Sequence, residues 1–138
     1  KQPYSGALFP GYENINHDFN MLVPIFENQK PDWKAALENV KGVYVIMDKN
    51  NGKSYVGSAY GVSGIWSRWS CYMGTEHGGN DELIKVIKKE APDYARNNFR
   101  LSLLEYRPMK TDDDIIKKRE SYWKEVFLSR GQFGYNKN

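Results

Sequence analysis

The sequence predicts an α+β fold with a small three-stranded antiparallel sheet flanked by helices. Three observations carry this. Residues 42–48 (GVYVIMD) and 53–58 (KSYVGS) are short β-branched, aromatic runs separated by a turn signal. Residues 98–107 (NFRLSLLEYR) alternate apolar Phe99, Leu101 and Leu103 with polar neighbours. Apolar residues three and four apart mark helices between and after these runs.

In chain order, residues 1–31 are rich in Asn, Gly and Pro and show no clean period. They read as irregular, with one short strand around residues 21–25. Asp32 is placed to cap a short helix through Trp33, Ala36, Leu37 and Val40. The KNNG segment at 49–52 suits a hairpin turn, because Asn and Gly tolerate positive φ. Residues 62–73 form a helix in which Ile65, Trp66, Trp69, Tyr72 and Met73 recur at spacings of three and four. A Gly-rich loop follows at 74–79. Asn80 caps a second helix to about Glu90, with Leu83, Ile84 and Ile87 inward, and Pro92 ends it. Thr111, with Asp114 three residues on, opens a last helix that runs to about Leu128. The tail from 131 onward is a loop. Residues 1–40 are thus an N-terminal extension, irregular with a short helix, and residues 41–138 form the main domain.

The chain has 138 residues, 40% hydrophobic and 27% charged, which suits one globular domain rather than a disordered segment. One cysteine, Cys71, excludes an intrachain disulfide and a cysteine-rich zinc site. It points to a reducing, cytoplasmic setting. No apolar run reaches the ~18 residues of a membrane span. A start at Lys1 rather than Met fits either a trimmed chain or one domain of a longer protein, with an additional domain outside this chain. Net charge is +3, which admits a polyanionic partner without requiring one. Nothing in the sequence sets the oligomeric state.

Several residues have chemistry beyond packing. A two- or four-residue hairpin loop puts Tyr44 and Tyr55 on one face, whereas a three-residue loop separates them. Gly42 and Gly57 flank them, as at a bulge or a close approach. Arg68 and Tyr72 are four apart on one helix face. An arginine between Trp66 and Trp69 is open to two readings, a cation–π stack or a phosphate-binding guanidinium. Glu120 interrupts the apolar stripe Ile116, Trp123, Phe127. A carboxylate there needs a cation, a metal or a proton. A salt bridge, with Arg68 as the candidate, and a metal ligand stand at even weight. Lys53 and His77 are candidate contacts to a nucleic-acid backbone.

The half-motifs Gly42-Val43-Tyr44 and Tyr55-Val56-Gly57 resemble those that name the GIY-YIG nuclease superfamily, with Val in place of each Ile. Arg68, Tyr72, Glu120 and Asn136 follow in the family's order and approximate spacing. The resemblance covers about residues 41–138 and rests on several elements in register. It implies a compact α/β sandwich and a metal-dependent DNA endonuclease. By the same resemblance, Glu120 binds one Mg²⁺ or Mn²⁺ ion. Tyr44 is the preferred general base, and Tyr55 orients or shares that task. Arg68 grips the scissile phosphate, Tyr72 supports the nucleophile side, and Asn136 helps order the site. A nearby metal-bound water, Arg68 or Lys53 is expected to favour the phenolate of the tyrosine base. Two other readings of the same fold are a nucleic-acid-binding module without catalysis and a protein-interaction domain.

Overall fold

A computed structural model describes residues 7–138. The central hairpin forms as its sequence demands. Strand β2 (Val40–Asp48) runs antiparallel to β3 (Ser54–Ala59). Asp48 N–H donates to the Lys53 carbonyl at 2.8 Å, so four residues close the turn. Gly52 takes the positive φ of 79° that this turn requires. Tyr44 pairs with Gly57 and Tyr55 with Ile46, so the two tyrosines share a face.

Strand β4 (Phe99–Pro108) pairs with the other side of β2. The register slips between Val43 and Tyr44, where Leu104 is the extra residue on β4. Gly42 lies beside this bulge. A Cβ there would meet the Glu105 carbonyl oxygen at 2.3 Å, so a side chain is excluded by backbone.

The sheet has four strands rather than the three expected. Strand β1 (Asn16–Asp18), which precedes the hairpin in sequence, adds to the free edge of β4, giving the order β1-β4-β2-β3. Three residues with a polar composition leave no alternation to read. The strand expected around residues 21–25 is instead part of helix α1 (Phe19–Glu27). Phe19, Leu22, Val23 and Phe26 are buried with helical spacing. Pro24 inside the helix hides that pattern, since proline removes a backbone donor and ordinarily ends a helix. Helix α2 (Pro31–Glu38) starts two residues earlier than expected, on Pro31. Asp32 does not cap it but accepts from the backbone N–H of Phe9 at 2.8 Å, and Val40 belongs to β2.

Helix α3 (Gly64–Thr75) and helix α4 (Asp81–Lys89) follow, the latter capped by Asn80 accepting from Leu83 N–H at 2.9 Å. A single helical turn, α5 (Tyr94–Asn98), is too short to announce itself in sequence. Helix α6 (Asp113–Phe127) is capped by Asp112, not Thr111. Asp112 accepts from Asp114 N–H at 2.9 Å, while the Thr111 carbonyl accepts from Lys41. Among the described residues no helix is long and apolar enough to cross a membrane.

The two faces of the sheet are covered differently. On one face Tyr44, Ile46 and Leu101 pack with Phe19, Trp33 and Trp69 in the main core. On the other, Val43, Val45 and Val56 pack with Ile116, Trp123 and Phe127 of α6. Burial on both faces explains why β2 reads as a near-continuous apolar run rather than an alternating one.

Candidate active site

Tyr44 projects from β2 toward α3, and its ring crosses Gly57 on the neighbouring strand. A Cβ at Gly57 would sit 2.5 Å from the tyrosine oxygen. Trp69 meets the ring edge-on at 5.9 Å. The Tyr44 hydroxyl hydrogen-bonds the Tyr72 hydroxyl at 3.0 Å. Arg68 donates from Nε to Tyr44 at 3.3 Å and from Nη2 to Tyr72 at 3.4 Å. Its guanidinium carbon also lies 4.9 Å from the Tyr72 ring centroid. Gly78 in the loop after α3 makes room for Tyr72, since a Cβ there would lie 2.6 Å from its ring.

These contacts set the electrostatics. Burial pushes the Tyr44 phenol up, and Arg68 opposes that only in part. Tyr72 is raised well above the ordinary value, again chiefly by burial. The arginine thus does not bring Tyr44 down as the sequence reading expected. Lys53 has no part in it, because its ammonium lies over the Tyr135 ring at 5.7 Å. Burial also works against the charge on Arg68, but Tyr44, Tyr72 and Tyr55 together outweigh it and keep the guanidinium protonated. Among the described residues Arg68 has no carboxylate partner.

Glu120 reaches the site from the opposite layer. Helix α6 crosses the other face of the sheet, and Ser58, just after the second half-motif, donates its hydroxyl to Glu120 Oε1. Lys124, one turn on, pairs with Oε2 at 2.7 Å. The salt bridge anticipated from the sequence therefore exists, but with Lys124 rather than Arg68. Around the end of β3 the two layers meet in a cleft of about 390 Å³, lined by Tyr44, Tyr55, Ser58, Tyr60, Arg68 and Glu120. Ser58, Tyr60 and Lys124 were not singled out in the sequence. Only Lys124 had a signal, its i+4 spacing from Glu120.

Asn136 does not line the cleft. Its amide bridges β3, accepting from Val56 N–H at 2.8 Å and donating to the Val56 carbonyl at 2.9 Å. It satisfies the outer edge of the strand that carries Tyr55 and Gly57. His77 is also outside the cleft, its Nδ1 accepting from Gly79 N–H at 2.9 Å.

Among the described residues no three His, Cys, Asp or Glu side chains converge on a point, so a closed protein cage for a metal is absent. The cleft instead offers one carboxylate beside a hydroxyl. That donor set fits Mg²⁺, which takes one or two carboxylates and keeps waters and phosphate oxygens as its other ligands.

No family model matches the chain. It is 30% identical over 107 residues to the chaperone protein ClpB of Bacteroides thetaiotaomicron, a match that covers 75% of this chain and 11% of that protein. Among solved structures, the catalytic domain of the homing endonuclease I-TevI is similar at 30% identity and a TM-score of 0.51, covering 70% of this chain and 96% of that one. A mutant of the same catalytic domain, described as that of an intron endonuclease, aligns at 27% identity and a TM-score of 0.55, over 72% and 94% of the two chains.

Proposed function

The chain belongs to the GIY-YIG nuclease superfamily, and we propose that it hydrolyses phosphodiester bonds of DNA in the cleft between Tyr44 and Glu120. One observation carries this reading. Among the described residues the partly buried Arg68 guanidinium hydrogen-bonds only phenol oxygens and pairs with no carboxylate, while Glu120, in the same cleft, is already paired with Lys124. A cation left without an anion in a cleft is a seat for an anion.

In this mechanism Arg68 takes a non-bridging phosphate oxygen and stabilises the charge that builds during attack. Water adds to phosphorus, the bond to the leaving oxygen breaks, and a tyrosine oxygen receives the proton of the water. Tyr44 is held most rigidly for that role, but its burial demands a compensating positive charge before it ionises. Arg68 at 3.3 Å supplies part of it. Tyr55 lines the same cleft, is less buried, and orients or shares the proton transfer. Tyr72 fixes the Tyr44 oxygen from behind. One Mg²⁺ or Mn²⁺ ion held by Glu120 would supply Lewis-acid stabilisation of the phosphate and the leaving oxygen.

The test is nicking of supercoiled plasmid with Mg²⁺ or Mn²⁺, against an EDTA control and an Arg68→Ala variant. Metal-dependent cleavage that falls by about 10²–10³ in the variant supports the reading. DNA binding without cleavage makes this a binding module of the same fold. Neither binding nor cleavage makes it an interaction domain.

A further inference from the structure

Tyr60 stands at the mouth of the cleft, two residues beyond Ser58. It is 37% exposed and lines the cleft with Arg68 and Glu120. The loop it opens projects into solvent: a Cβ at Gly61 would meet nothing within 4 Å, and Val62 is 88% exposed. Lys117, one turn before Glu120 on α6, holds its ammonium 5.3 Å from the Tyr60 ring centroid.

Other exposed tyrosines have structural occupations. Tyr106 stacks on Tyr12 at 4.4 Å. Tyr122 lies under Arg119, whose charge is neutralised by Glu105. The cation over Tyr60 differs, because among the described residues Lys117 has no carboxylate partner. An exposed ring and an uncompensated ammonium therefore sit together at the entrance to an anion-binding cleft.

We propose that Tyr60 and Lys117 form a nucleotide subsite, in which the Tyr60 ring stacks an unpaired nucleobase and Lys117 contacts the phosphate beside it. The subsite rests on the nuclease reading for its ligand class. Every nucleobase offers a π face, so stacking of this kind grips DNA without choosing a sequence. Arg68 lines the same cleft as Tyr60, so a strand held there has a second cation available to its phosphates. Lys53, His77 and Lys117 all lie outside the cleft lining, but Lys117 is tied to its rim by its contact with the Tyr60 ring.

The experiment is an anisotropy titration in EDTA with a fluorescein-labelled thymidine dodecamer and an abasic dodecamer, beside the plasmid assay. Tyr60→Ala is expected to bind the thymidine dodecamer about tenfold more weakly and the abasic one unchanged. Tyr60→Trp keeps wild-type affinity. Lys117→Ala lowers the slope of log affinity against log salt by about 0.7, one phosphate contact on a single strand. Thermal melting checks that each variant folds. If the wild type nicks plasmid and Tyr60→Ala binds the thymidine dodecamer as tightly as wild type, the subsite is wrong and the nuclease reading survives. If no variant or wild type nicks, yet the base-dependent loss at Tyr60 appears, the subsite stands and the nuclease reading falls. A wild type that binds neither dodecamer overturns the subsite.

Discussion

The phenol of Tyr44 rests on the backbone of Gly57, so closely that a Cβ on the glycine would lie 2.5 Å from the tyrosine oxygen. The first tyrosine and the last glycine of the paired motifs are therefore one mechanical unit. Their register partnership across β2 and β3 creates it. Gly57→Ala should push the phenol off Arg68 and Tyr72 and destabilise the domain by about 1–3 kcal/mol, as overpacking does. Gly42→Ala should cost stability similarly, because its Cβ would strike the Glu105 carbonyl, but away from the cleft. Measured well below each melting temperature, cleavage should fall far more in the Gly57 variant. Equal residual activity in the two would mean that the seating of Tyr44 is irrelevant to catalysis.

Glu120→Gln keeps the shape of the side chain and removes its charge. The pair with Lys124 is mostly buried, so stability should fall by about 1–3 kcal/mol, and cleavage is compared well below the melting temperature. Cleavage should fall by at least about 10²-fold, because a single carboxylate leaves no second protein ligand to hold the metal. Isothermal titration with Mn²⁺ should show the loss of binding directly. A glutamine variant that cuts as well as the wild type removes Glu120 from the mechanism.

The hairpin was legible because two β-branched, aromatic runs flank a KNNG turn signal, whereas its register waited on the loop length that the structure supplies. The anomaly of Glu120 was legible because a charge on an apolar helical stripe is costly in any fold. What hid was of four kinds. Pro24 disguised α1 by breaking the donor pattern of a helix whose apolar spacing is otherwise regular. The fourth strand is three polar residues whose strand character comes from the free edge of β4, not from their own side chains. The partner of Glu120 was sought across the fold, whereas Lys124 lies one turn away on the same helix. The meeting of two layers around the end of β3 depends on how the sheet is wrapped, and no local pattern encodes that.

Alkaline pH should unfold this protein early. Tyr94 is pushed up to about 12, by burial and then by Asp48, and burial raises Tyr44, Tyr72 and Tyr135 further. An unfolded tyrosine ionises near pH 10. As pH rises, the unfolded chain therefore releases these protons first. The stabilisation is complete below about pH 10 and declines as pH climbs through the folded values. Melting temperature should drop steeply above that point, with phenolate absorbance of the four residues rising only as circular dichroism is lost. If all ten tyrosines ionise near pH 10 with native dichroism intact, these phenols are not buried as described.

Asn136 should act on the site without touching it. Its amide completes the outer edge of β3 at Val56, between Tyr55 and Gly57. The tail that carries it is fastened one residue earlier. Tyr135 donates to the fully buried Asp48 at 2.6 Å, beside Tyr94 at 2.7 Å. Asn136→Leu leaves the N–H and carbonyl of Val56 unpaired, which should cost about 2 kcal/mol. Tyr135→Phe removes one charge-assisted bond to Asp48 and should cost about the same. The two variants separate a fastening role from a positioning one. Assayed well below both melting temperatures, Tyr135→Phe should cleave nearly as wild type, since Asn136 still bridges Val56. Asn136→Leu should lose cleavage through a lower kcat at unchanged DNA affinity, because β3 then holds Tyr55 and Gly57 less firmly while Arg68 on α3 is untouched. Equal losses in both variants would make Asn136 a fastener of the tail and nothing more.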